Sequence, residues 1–139
     1  MMPLTEFFDI TPLRWSSIAA SLVCGVIVGL ERQLRGKPVG IRTATLIVFG
    51  TYLFIATALA VSTDASDPSR IIGQVVTGIG FLGAGVMMAK EGVVVGVTSA
   101  ATIWALAAVG VCIAVIGNIV AIKMALITLG VLWGVDVLE

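Results

Sequence analysis

The sequence predicts an all-α, polytopic membrane bundle of five transmembrane helices, N-terminus out and C-terminus in. Three observations carry that prediction. Of 139 residues, 59% are hydrophobic and 12% are charged, with a mean hydropathy of +1.16, far from the usual balance of a soluble domain. The apolar residues fall into five runs of spanning length, separated by short polar turns. One loop, Glu31 to Arg42, collects Arg32, Arg35, Lys37 and Arg42 against a single acid, which places it in the cytoplasm by the positive-inside rule. Too little chain remains for a separate soluble domain, so residues 1–139 are taken as one transmembrane domain.

Met1 to Arg14 is an amphipathic lead-in, with Phe7, Phe8 and Ile10 set against Glu6 and Asp9, suited to the membrane interface. Trp15 to Leu30 is the first span and is read as retained, because no small-residue cleavage pattern follows it. Ser17, Ser21, Gly25 and Gly29 recur every fourth residue along it, a small-xxx-small seam. That seam serves either docking within the bundle or dimerisation, and both remain open. Thr43 to about Ser62 is the second span, and Asp64 to Asp67 an outer turn.

Asp67 to Ala89 is read as the third span and the central helix. Asp67 is placed to cap it and Pro68 suits the first helical position; no charge interrupts Ile71 to Ala89. At roughly 100° per residue, Gly73, Thr77, Gly80 and Ala84 share one face, and Gly78 and Gly85 a second. Gly83 completes the glycine run. Gly78, Gly80 and Gly83 also spell G-x-G-x-x-G, but a dinucleotide site needs a preceding strand and a helix opening at the motif. Glycines inside an apolar run are packing glycines.

Gly92 to Val97 is expected to tuck under the helix ends. Thr98 and Ser99 are placed to cap the fourth span, which runs to about Ile116 with Thr98, Ala101, Ala105, Ala108 and Cys112 on a packing face. Gly117 and Asn118 turn into the fifth span, about Ile119 to Val135, whose Lys123 snorkels outward.

This topology brings Glu31, Arg32, Arg42, Thr43, Thr98 and Ser99 to the cytoplasmic face. The free N–H groups opening the fourth span favour an anion, and Glu31, ending an apolar span, needs a partner, with Arg42 the candidate. Asp67 and Arg70 lie on the outer face. There is no histidine, no nucleophile–base pair and no metal-ligand cluster, so neither enzymatic activity nor a cofactor is expected. Cys24 and Cys112 sit within apolar runs and suit packing. The expected surroundings are lipid and other membrane proteins; nothing points to nucleic acid.

Three blocks resemble the MgtC/SapB family of membrane proteins: Gly29-Leu30-Glu31-Arg32 continuing to Gly36-Lys37-Pro38-Val39-Gly40-Ile41-Arg42-Thr43; Asp67-Pro68-Ser69-Arg70-Ile71 through the Gly78 to Gly85 run; and Gly96-Val97-Thr98-Ser99-Ala100-Ala101-Thr102-Ile103-Trp104 to Gly110. Val39 stands where that family usually has alanine, and Ser99 where threonine is common. Many members continue into a cytoplasmic C-terminal domain, so the resemblance is to the transmembrane part, and functions housed in that domain are not expected here. The resemblance implies a bacterial inner-membrane protein linked to magnesium-limited growth, survival inside host cells and hence virulence. It marks Glu31, Arg42, Thr43, Asp67, Arg70, the Gly78 to Gly85 run and Thr98 as determinants. Abundant packing seams favour a homodimeric regulator or scaffold acting through membrane-protein contacts. The alternative is an oligomeric transporter of magnesium or another small solute.

Overall fold

Five helices of the computed structural model are long and apolar enough to cross a membrane. The structure describes residues 3–63 and 67–138. Met1 and Met2 of the lead-in, Asp64 to Ser66 of the outer turn and Glu139 therefore lie outside the described residues, as does the Asp136 side chain. A short helix, α1 (Leu4–Phe7), precedes α2 (Trp15–Leu34) and α3 (Ile41–Val61). Then come α4 (Pro68–Val86), a hairpin of β1 (Met88–Lys90) and β2 (Val93–Val95), α5 (Val97–Val115) and α6 (Asn118–Leu138). Phe54, Phe81, Trp104 and Trp133 point outward and exposed. Such a surface suits a bilayer, where the lipid is as apolar as the side chains it meets.

The lead-in carries one helical turn, α1, and then reverses. The Asp9 carboxylate accepts from the Thr11 backbone N–H at 2.9 Å and its hydroxyl at 2.6 Å, which holds the Asp9 pKa below the ordinary carboxylate value. Trp15 Nε1 donates to the Phe8 carbonyl at 3.0 Å, tying this segment to the start of α2.

The seam on α2 closes against α3. A Cβ added to Gly29 would lie 2.6 Å from Ile41 Cα, and one added to Gly25 would strike the Thr45 backbone. Of the two uses open to this seam, the chain uses it internally. Farther toward the helix start, the Ser17 hydroxyl donates to Asn118 Oδ1 at 3.0 Å, and Ser21 back-bonds to the Ser17 carbonyl at 2.8 Å. The first of these bonds joins the beginnings of α2 and α6, and the second lies within α2. Gly110 gives the matching close approach between α5 and α3, where an added Cβ would lie 2.6 Å from the Val48 carbonyl oxygen.

The central helix is α5, not α4. Helix α5 packs on α2, α3, α4 and α6, whereas α4 packs chiefly on α5 and less on α3. Ser99, Thr102, Ile103, Leu106, Val109, Gly110 and Ile113 are buried along α5. Its expected packing face is displaced by about one residue: Thr98, Ala101 and Ala108 are exposed, and Cys112 alone of that set is buried. Cys24 on α2 and Cys112 are both buried free thiols.

Helix α4 is an edge helix with only Ile79 and Gly83 buried. Gly73, Gly78, Gly80 and Gly85 have open space where a Cβ would stand, and Thr77 and Ala84 are exposed. Within this chain those positions do not pack as expected; only Gly83 does, with an added Cβ 3.7 Å from Ala100. Small residues permit close approach, but apolar area and shape decide which face turns inward.

The helix stops at Val86, short of Ala89, because the chain turns into an antiparallel hairpin pairing Met88 with Val95 and Lys90 with Val93. Glu91 (φ 52°) and Gly92 (φ 80°) both adopt the left-handed backbone that a two-residue hairpin turn demands. The hairpin is exposed along both strands. The expected tucking under the helix ends therefore does not occur: backbone pairing within the hairpin satisfies its polar groups without burial.

Candidate functional site

The last turns of α2, the loop to α3, the hairpin and the first turn of α5 meet at one end of the bundle, the basic end. Glu31 and Arg32 are consecutive, yet both are buried, at 8% and 4% exposure. Arg32 spans the interface: its Nη2 donates to Ser99 Oγ at 3.1 Å, linking α2 to α5. Its Nη1 lies 3.8 Å from Glu31 Oε2. Arg35, one turn on, places Nε 2.8 Å from Glu31 Oε1, off the line of a straight hydrogen bond. Neither Glu31 oxygen nor Arg32 Nε has a hydrogen-bond partner among the described residues. Charges buried this far need such pairing, since removing one partner leaves the other uncompensated.

The expected Glu31–Arg42 pair does not form. Arg42 and Thr43 are exposed at the start of α3 and line a separate groove of about 630 Å³ with Phe54 and Gln74, between α3 and α4. Arg35 takes the place given to Arg42. Its signal was in the sequence as an acid four residues before a base on one helix, the favoured order for a helical ion pair.

Ser99 does not cap α5, since its hydroxyl receives Arg32. The residue before the helix is Gly96, and no side chain caps the first turn. Its φ of 91° and an added Cβ's collision with the Val86 carbonyl reserve the position for glycine. Thr98 is exposed beside it, and its backbone carbonyl accepts from the Thr102 hydroxyl at 2.8 Å.

Around these groups lies a cavity of about 600 Å³. Arg32, Lys37, Thr98 and Ser99 supply its polar wall, and Leu132 and Val135 of α6 part of its apolar wall.

Asp67 and Arg70 stand at the opposite end, both exposed. Asp67 caps α4, accepting from the Ser69 backbone N–H at 2.9 Å and its hydroxyl at 2.6 Å. Those bonds, with Arg70 nearby, hold its pKa below the ordinary value. A depressed carboxyl stabilises the fold above its unfolded pKa of about 3.9 and loses that contribution as pH falls through the lower folded value. Asp67→Ala is therefore expected to speed hydrogen exchange in the first turn of α4 at neutral pH. In strong acid the variant and the parent chain should exchange alike.

The sequence profile of the MgtC family matches residues 18–139. The chain is 47% identical over 103 residues to "Putative magnesium transporter YhiD" of Escherichia coli strain K12, covering 69% of this chain and 47% of that protein. It is 42% identical over 95 residues to "Protein MgtC" of Salmonella typhimurium, covering 68% of this chain and 40% of that protein. "Protein MgtC" of Brucella abortus is 46% identical over 95 residues, covering 68% and 39%. The matches thus span less than half the length of these relatives. No solved structure matches the chain. With its profile match, its relatives and its five spanning helices agreeing, the chain is a multi-pass membrane protein belonging to the MgtC family.

Proposed function

We propose that this chain is a regulator or scaffold of the bacterial inner membrane, acting through helix–helix contacts with other membrane proteins and serving growth in low magnesium. The basic end faces the cytoplasm in this reading, in keeping with the positive-inside rule, and the N-terminus lies outside. It is not an enzyme. The observation that carries the reading is on α4, where Gly73 and Gly80 on one face and Gly78 and Gly85 on another all have open space. A spanning helix that keeps such glycines unused within its own chain can approach another helix closely, which is how membrane helices associate. The magnesium link rests on the name of the Escherichia coli relative.

The test is Gly78→Leu with Gly80→Leu. Both positions are open, so the bundle keeps its fold while the approach is blocked. Chemical crosslinking in native membranes should lose its complexes, and magnesium-limited growth should fall with them. Retention of both sinks the reading.

A second reading, an oligomeric magnesium transporter, draws on that relative's name and on Glu31, whose buried carboxylate oxygens lack hydrogen-bond partners among the described residues. Magnesium flux in proteoliposomes, abolished by Glu31→Gln in folded protein, would favour it over the regulator.

A further inference from the structure

We propose that the cavity at the basic end is a binding site for a phosphate group, carried by an anionic lipid or free in solution. This requires neither the regulator nor the transporter reading, only the geometry around the start of α5.

The 19-residue helix α5 begins without a side-chain cap. Serine, threonine or aspartate at the capping position would normally satisfy one of the first N–H groups. Here that solution is closed off, because Gly96 holds a left-handed backbone against the Val86 carbonyl. The first turn of α5 is thus left without a side-chain cap beside the cavity, with the positive end of its dipole behind it.

Arg32 is the second, independent observation. It lines the same cavity, is 4% exposed, and its Nε lacks a hydrogen-bond partner among the described residues. Nε itself is sealed from the cavity, so what Arg32 offers there is the guanidinium charge on the cavity wall, and a guanidinium suits phosphate oxygens better than other anions. Ser99 already holds Nη2, so the fork is fixed in place before any ligand arrives. Lys37 adds a second cation and Thr98 a hydroxyl, and no carboxylate is among the described residues that line the cavity. Glu31 touches Arg32 from the side, at 3.8 Å, but is itself drawn to Arg35 at 2.8 Å. Several donors converging on one space suit a tetrahedral, multiply accepting anion better than a spherical one such as chloride. The valine and leucine wall from α6 accommodates a glycerol backbone or the start of an acyl chain beside the headgroup.

The test uses the purified whole chain in a neutral maltoside detergent. Inorganic phosphate and short-chain phosphatidylglycerol are titrated separately while Tm is followed, with short-chain diacylglycerol as the phosphate-free control. At least one phosphate-bearing probe should raise Tm saturably. Lys37→Gln and Thr98→Ala, both at exposed positions, should each weaken its apparent affinity at least fivefold and leave the ligand-free Tm unchanged. A shift with phosphatidylglycerol alone identifies a lipid headgroup, and a shift with inorganic phosphate identifies a soluble source; either supports the site. The proposal is overturned if neither probe shifts folded protein, if diacylglycerol acts as well as phosphatidylglycerol, or if both variants bind like the parent chain.

Discussion

Gly25→Leu is expected to leave no folded chain to purify. The Cβ alone would strike the Thr45 backbone, and backbone within a helix cannot rotate aside as a side chain can. Added methylenes in a packed core typically cost about 1–3 kcal/mol when side chains absorb them. Here α2 and α3 must separate along their length, taking the Gly29–Ile41 contact with them, so the loss should exceed that range. Gly80→Leu is the control of equal bulk on an open face, and monodisperse, thermally stable protein should survive it. Size-exclusion profiles and Tm in detergent read both. If Gly25→Leu behaves like Gly80→Leu, the α2–α3 approach described here is wrong.

Glu31→Ala is the second large effect. It removes the carboxylate beside Arg32 and the partner of Arg35 in one step, while Arg32 stays buried with Ser99 as its hydrogen-bond acceptor. Breaking a buried pair this way costs about 3–5 kcal/mol, much of it from the charge left behind. Glu31→Ala combined with Arg32→Met should therefore be more stable than the sum of the two single losses, by roughly 1–3 kcal/mol in a double-mutant cycle. Additive losses, or a single loss below about 1 kcal/mol, would mean that water already reaches these charges and that the pair stabilises little.

The five spans, their order and the single basic end were legible because bilayer thickness sets segment length and lipid excludes charge. What escaped the sequence was the direction each small residue faces. Gly25 and Gly80 are equally good invitations to a neighbouring helix, yet one meets Thr45 and the other nothing in this chain. Periodicity gives a face; it does not say whether that face is turned to a helix of the same chain. That is why α4 looked central and α5, whose Leu106 and Ile113 fill the middle, did not. Of the cluster expected at the basic end, Arg32 and Ser99 meet, but Glu31 pairs with Arg35 and not with Arg42. Arg42 opens a span just as Glu31 closes one, whereas Arg35 won through plain helical spacing. The hairpin was hidden for a different reason: three valines between two glycines read as an apolar connection, while the turn geometry at Glu91 and Gly92 makes them a strand.

The two native thiols have a practical use. Cys24 and Cys112 are walled in by the bundle, so a maleimide added to intact membranes should leave them unlabelled, and labelling should begin only as the helices part. Reporter cysteines can then be placed along the outward side of α4 without first stripping the natural pair. The same chain thereby carries its own gauge of integrity while its lipid-facing surface is being mapped.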